Sequence, residues 1–284
     1  MILSLLRQTF VQNAFVAGIL IAVVAGIAGY FVVLRSEAFA AHALSHVGFA
    51  GATLAALLGA NTILGASGFT VLAALGIGAL GERIRGRNVE IGITLAFALG
   101  LGVLFLHLYT NSASEMVGVL FGSILSVTRA DIVWTAALGG AVLVLLALIF
   151  RPLLFVSVDP DVAETRGVPV KLLSMLFMFL LAITVAEAIR VVGVLLIFSL
   201  IVAPAAIAQH ITHRPLSAII LSVVFGVAFV CCGMFLALAT RFPVSFYISV
   251  LAALCYFLVV GASHVIMRPH AAAMSARKCD TGRF

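Results

Sequence analysis

The chain has 284 residues, of which 64% are hydrophobic and 9% are charged. Soluble domains carry about 25% charged residues, so lipid must be the solvent for most of this chain. The net charge of +6 comes from basic residues scattered through short polar stretches, and a scattered distribution argues against nucleic acid as a partner. The composition therefore predicts an all-α, polytopic membrane protein.

Apolar stretches long enough to cross a bilayer, about 17 to 25 residues, follow one another along the chain. The first comes after Arg7 and has no convincing cleavage site, so we expect it to be retained as a membrane span. We predict spans near 13–34, 40–60, 62–81, 90–109, 131–150, 172–190, 191–210, 216–239 and 243–266, within one transmembrane domain covering 1–284. The sixth and seventh are nearly continuous, so eight spans are an alternative to nine.

The positions of the Lys and Arg residues predict the orientation of these spans. If the N-terminus lies outside, twelve of the 16 Lys and Arg residues face the cytoplasm, as the positive-inside rule requires. Nine spans then place the C-terminus inside. On this topology residues 110–130 stay on the outer side. The apolar stretch 117–127 is too short to cross, and we expect a half-helix or an interfacial segment there.

Two histidines lie inside the second predicted span. His42 and His46 are four residues apart, which puts them on one face of a helix, about 9 and 15 Å into the membrane if the helix starts near Ser36. Imidazole is costly to bury in hydrocarbon and is the commonest side-chain metal ligand, so the pair is a candidate metal site. Alternatively, the histidines hydrogen-bond to backbone carbonyls, Ser45 or Thr53 and tie helices together.

Two ligands do not complete a zinc site, which usually has three or four. Glu187 is the best further candidate by charge, although its spacing to Arg190 favours a structural i,i+3 ion pair. His107 and Glu115 form a possible outer funnel for cations, but a single interfacial histidine is more often an amphipathic residue with its hydrogen bonds satisfied. Other donors are expected from further spans or from a second copy of the chain.

The predicted cytoplasmic loop 151–171 contains the signals of a short helix. Asp159 is suited to the N-cap, Pro160 to the first helical position, and Gly167 to the C-terminal stop, with Glu164 inside the helix. Such a helix can dock a partner, and the alternative is an ordinary polar connector. The chain has no G-x-x-x-x-G-K-[ST] motif, so it does not hydrolyse ATP through a P-loop of its own.

Five segments together resemble one family, and they occur in the family's order. The chain is similar to the membrane permease subunit of zinc- and manganese-type ABC importers, with a fold like that of a type II ABC importer permease. The matching segments are 37–51, 91–102, 120–125, 159–167 and 192–208.

The resemblance implies that two permeases form the pore and that two ATPase subunits bind ATP and dock on the cytoplasmic face. An extracytoplasmic metal-binding protein would deliver the ion. Segment 159–167 resembles the docking loop, and its candidate residues are Asp159, Asp161, Glu164 and Gly167. His46 falls on the family's histidine, whereas His42 stands where many relatives have aspartate. That change favours zinc over manganese, because imidazole suits zinc and carboxylate suits manganese.

We therefore predict a permease subunit of an ATP-driven importer in the bacterial inner membrane, working as a homodimer without a resident cofactor. Zinc is the predicted cargo, with manganese or iron as alternatives. A self-sufficient secondary metal transporter is a competing hypothesis, but the chain lacks inverted repeats with paired acidic residues at the midplane. No catalytic constellation supports a membrane enzyme. Gly48, Gly51, Gly76 and Gly100 are predicted sites of close helix approach, within one chain or between two.

Overall fold

The computed structural model of the chain describes residues 8–80, 87–109, 127–240 and 242–280. These ranges form eleven helices. They are α1 (Thr9–Leu34), α2 (Ala38–Leu57), α3 (Thr62–Leu80), α4 (Arg87–Leu108), α5 (Arg129–Leu148), α6 (Phe150–Val158), α7 (Pro160–Thr165), α8 (Val170–Val192), α9 (Val194–Ile211), α10 (Pro215–Ala239) and α11 (Val244–Asp280). The half-helix expected at 117–127 lies almost entirely outside the described residues.

Eight of the described helices are long and apolar enough to cross a membrane: α1 to α5, α8, α10 and α11. The apolar helix α9 follows α8 across the single residue Gly193 and has 18 residues, fewer than most of the spanning helices. The all-α polytopic prediction is therefore confirmed. The predicted span 191–210 coincides largely with α9. The number of membrane spans is therefore eight without α9 and nine with it.

The helices form a buried centre and a more exposed periphery. In α1, α2 and α8, 67%, 72% and 67% of the most apolar window is buried, against 11% to 33% in the remaining spans. Helix α9 packs on α1, α2, α10 and α11 and completes the centre. The peripheral helices expose large apolar side chains such as Phe97, Trp134 and Phe257, as expected for surfaces that face lipid.

Small residues allow α2 to approach its neighbours closely. A Cβ built on Gly51 would contact the backbone carbonyl of Gly65 on α3, and one on Gly48 would lie 2.5 Å from a side-chain atom of α8. A Cβ on Gly76 or Gly100 would meet no atom within 4 Å. Gly48 and Gly51 thus mediate close contacts within the chain, whereas Gly76 and Gly100 meet no other part of the chain that the structure describes.

A tight reversal joins α1 to α2. Ser36 adopts a φ of 57°, and the N–H groups of Ser36 and Glu37 donate back to carbonyls in the last turn of α1 at 3.1 and 2.8 Å. This pattern is a Schellman ending with serine in the left-handed position that glycine usually takes. Helix α2 begins at Ala38, two residues later than expected, so His42 and His46 lie about 6 and 12 Å along its axis.

Candidate functional site

The predicted histidine pair forms a compact unit on α2. The ring centroids of His42 and His46 are 4.7 Å apart with an interplanar angle of 85°. His46 is 9% exposed and His42 is partly buried. The ring of His42 also lies 4.9 Å from that of Phe198 on α9, so the pair occupies the contact between α2 and α9 in the buried centre.

The hydroxyl groups nearest in sequence do not hold these rings. Ser45 Oγ donates to the backbone carbonyl of His42 at 2.7 Å, and Thr53 Oγ1 donates to carbonyls one turn back on α2. The Nδ1 atoms of His42 and His46 are buried and have no hydrogen-bond partner within the described ranges. Buried polar atoms normally have a partner, and a ring nitrogen without one is available to a ligand.

The described residues do not add a third metal ligand to the pair. Among them, no group of three or more His, Cys, Asp or Glu side chains could hold a metal ion. His107 is exposed in the last turn of α4. Its proposed partner Glu115 lies outside the described residues.

Glu187 faces a different part of the bundle. Its Oε2 accepts a hydrogen bond from Thr135 Oγ1 on α5 at 3.2 Å, and its side chain lines a small cavity between α1, α5 and α8. The favoured ion pair with Arg190 involves a side chain that the structure does not describe. Two residues beyond Glu187, Ile189 is the α8 residue that contacts Gly48 of α2, so the carboxylate and the α2 contact lie on different faces of α8.

The predicted short helix is present as α7. Asp159 Oδ1 accepts a hydrogen bond from the N–H of Val162 at 3.0 Å, and Pro160 occupies the first helical position. Gly167 has a φ of 79° and ends the helix in the left-handed conformation. Ala163 is buried against Val156 and Leu173. The candidate docking residues Asp159, Asp161, Glu164 and Gly167 are all exposed.

A buried charged pair at the α1–α2 junction was not among the residues predicted from the sequence. Arg35 Nε lies 3.4 Å from Glu37 Oε1, and the two side chains are 1% and 2% exposed. The signal in the sequence was Arg35 and Glu37, a base and an acid two positions apart between two apolar runs. The positive-inside rule counts Arg35 only as a charge in a cytoplasmic loop and does not consider its partners.

Comparison with known proteins agrees with this architecture. The ABC 3 transport family matches residues 7–263. The chain is 31% identical over 259 residues to the manganese transport system membrane protein MntC of Halalkalibacterium halodurans, covering 89% of each protein. It is 35% identical over 251 residues to the manganese import system permease protein ScaB of Streptococcus parasanguinis, covering 88% of this chain and 89% of ScaB.

A solved structure shares the fold. The structure of PsaBC from Streptococcus pneumoniae in complex with Fab superposes with a TM-score of 0.81 at 31% identity, covering 91% of this chain and 94% of the matched chain. The eight spanning helices and the family match indicate a multi-pass protein of the bacterial inner membrane. The chain therefore belongs to the ABC 3 transport family and is the membrane permease of an ABC metal importer, with ATP hydrolysis on a separate subunit.

Proposed function

We propose that this permease imports Mn²⁺ and that the ion passes the His42–His46 pair on α2. The observation that carries the proposal is the pair of adjacent rings, whose buried Nδ1 atoms have no hydrogen-bond partner among the described residues. In a membrane span such a pair is a functional-site hypothesis by default. The pair lies in the centre of the bundle, where a transport pathway is expected.

The choice of metal rests on two opposing observations. Relatives that are 31% and 35% identical over nearly the whole chain are named as manganese transporters. We therefore propose manganese as the transported ion in place of the zinc predicted from the sequence. Zn²⁺ is the second candidate, because the pair offers nitrogen donors, which suit zinc better than manganese. Uptake of each ion in competition with the other, by the reconstituted complex, distinguishes the two.

A second copy of the chain would complete the importer. Each chain has one α7, and an ABC importer engages two ATPase subunits, so a two-fold homodimer presents two docking helices. A homodimer also brings two histidine pairs toward a shared pathway and adds donors beyond those that the described residues of one chain group together. Gly76 and Gly100 have open space around a built Cβ among the described residues, and they are candidates for contact with the second copy.

Helix α7 is the proposed docking site for the ATPase. Its exposed side carries Asp159, Asp161 and Glu164, and its one buried side chain, Ala163, anchors it to α6 and α8. An acidic, capped helix fixed to two longer helices can transmit force from a basic groove on a partner. An extracytoplasmic metal-binding protein is the expected partner on the opposite face, where His107 would lie under the N-out orientation.

Transport by purified components tests the proposal. The permease and its ATPase are reconstituted in liposomes with the metal-binding protein supplied on the extracytoplasmic side, and Mn²⁺ and Zn²⁺ uptake is measured with ATP and with a non-hydrolysable analogue. ATP-dependent uptake that is lost in the His42→Ala/His46→Ala double variant supports the pathway. Wild-type uptake in that variant refutes it. Uptake that persists without ATP hydrolysis would instead favour a secondary transporter.

A further inference from the structure

The buried Arg35–Glu37 pair lies where four helices meet. Arg35 caps the C-terminus of α1 and Glu37 occupies the N-cap position of α2. Removing two charges from water carries a large desolvation cost, which only close partners offset. Glu37 is also well placed at the positive end of the α2 dipole. The pair fixes how α2 leaves α1.

The same guanidinium reaches both helices that flank α7. Arg35 Nη2 donates to Ser174 Oγ on α8 at 2.7 Å, and Nη1 donates to Ser157 Oγ on α6 at 3.5 Å. Ser157 lies two residues before Asp159, the N-cap of α7, and Ser174 lies in the second turn of α8. The Arg35 side chain therefore bonds to the helices on both sides of α7, which are α6 and α8, and to Glu37 at the N-cap of α2.

The surroundings hold this arginine in one orientation. Its Cζ lies 5.3 Å from the ring centroid of Phe177, which is fully buried and packs edge-on against Phe31 at 6.1 Å. Ser157 donates its own proton to the carbonyl of Leu153 at 2.6 Å, so its oxygen lone pairs face Arg35. A planar guanidinium held between the ring of Phe177 and the side chains of Glu37, Ser157 and Ser174 is a stiff connection.

We infer that Arg35 is the positioning residue that couples the docking helix to the metal site, a role that rests on the proposed function. His42 and His46 follow Glu37 by five and nine residues on the single helix α2. A helix moves nearly as a rigid rod, so a shift at Glu37 displaces both imidazoles. When the ATPase moves α7, Ser157 on α6 and Ser174 on α8 are displaced first. Arg35, which is bonded to both serines, then displaces Glu37 and with it α2.

The test measures ATP hydrolysis and metal uptake in the same liposomes. In Arg35→Gln we expect the ATPase to remain bound and active, while Mn²⁺ or Zn²⁺ transported per ATP falls by about tenfold. Arg35→Lys should recover part of this ratio, because an ammonium reaches fewer of the partners than the fork. Arg151→Gln is the matched control, since Arg151 is exposed on the neighbouring helix α6, and it should keep the wild-type ratio.

In Arg35→Gln the buried Glu37 carboxylate loses its ion-pair partner, which could unfold the protein. Two further variants separate this effect from a loss of coupling. Arg35→Gln/Glu37→Gln removes both charges of the pair, and Ser174→Ala removes the hydrogen bond that Arg35 Nη2 donates to Ser174 while keeping the ion pair. Both should bind metal with wild-type affinity and still lose coupling. Wild-type stoichiometry in the double variant, or a loss of coupling that only parallels a loss of metal affinity, overturns the inference. A wild-type complex without ATP-driven metal uptake refutes the proposed function instead.

Discussion

The imidazole rings of His42 and His46 lie nearly perpendicular to each other, 4.7 Å between centroids. Their spacing of one helical turn brings them together without any contribution from another element. The two rings are close enough to be proposed as ligands of the same ion, which histidine nitrogens bind at about 2.0 to 2.1 Å in zinc sites. The histidine pair is therefore a part of the proposed pathway that α2 provides by itself.

Removing either ring should reduce transport. We expect His42→Ala and His46→Ala each to lower metal uptake by about tenfold or more, because a site with few protein ligands loses a large share of its binding free energy with each. Uptake in liposomes and metal affinity by calorimetry measure the effect. Ser45→Ala is the control, because the Ser45 hydroxyl bonds to a carbonyl of its own helix. Equal losses in all three variants would indicate misfolding rather than ligand removal.

A carboxylate at position 42 should change the choice of ion. His42→Asp replaces a nitrogen donor with oxygen donors, which suit manganese better than zinc. We expect the ratio of Mn²⁺ to Zn²⁺ uptake, measured in competition, to rise relative to wild type, with total uptake reduced less than in His42→Ala. His42→Asn serves as the control, because asparagine has the size of aspartate but carries no charge. An unchanged ratio would mean that residue 42 does not contact the ion.

The cap and the stop of α7 should govern ATPase docking. Asp159→Ala loses the hydrogen bond to the Val162 N–H and about 1 kcal/mol of helix stability. Gly167→Val forces a β-branched residue into a φ of 79°, a left-handed conformation costing at least about 1 to 2 kcal/mol. We expect both to reduce co-purification of the ATPase.

A charge reversal on the exposed side of α7 tests the surface itself. Glu164→Arg should weaken ATPase binding through like-charge repulsion if the partner groove is basic. Lys171→Gln changes an exposed charge outside α7 and should leave co-purification unchanged. Full retention of the ATPase and its metal-stimulated activity by the α7 variants would show that α7 is only a connector.

The same substitution should have opposite effects at two glycines. Gly51→Ala places a methyl group against the backbone of α3, so it should push α2 and α3 apart and lower the thermal midpoint in detergent. Gly68, on α3, has open space around a built Cβ, and Gly68→Ala should stabilise the helix by about 0.5 to 1 kcal/mol. A midpoint that falls equally in both variants would contradict the close approach.

Ser36 should tolerate glycine and benefit from it. Its φ of 57° costs a non-glycine residue about 1 kcal/mol or more, which glycine avoids. We expect Ser36→Gly to be neutral or to raise the thermal midpoint, and Ser36→Val to lower it. A lower midpoint for Ser36→Gly would mean that the serine side chain itself stabilises the α1–α2 reversal.

Much of the fold could be predicted because lipid imposes a simple rule on sequence. A bilayer demands about 20 apolar residues for each crossing, so the runs that became α1 to α5, α8, α10 and α11 are visible in the chain itself. Local chemistry was visible as well. Asp159, Pro160 and Gly167 encode α7 through bonds within a few residues, and the spacing of His42 and His46 places both rings on one face.

The sequence by itself therefore determined the spans, the capped helix and the histidine pair, all of which depend on short-range periodicity. Only the tertiary structure decided the partners of residues far apart in the chain. Glu187 meets Thr135, 52 positions away, and Arg35 meets Ser157 and Ser174, 122 and 139 positions away. Such pairings depend on how helices rotate and pack, and in lipid this is set by close packing and a few polar contacts rather than by hydrophobicity. Apolar periodicity carries little information about rotation when every face of a helix is apolar.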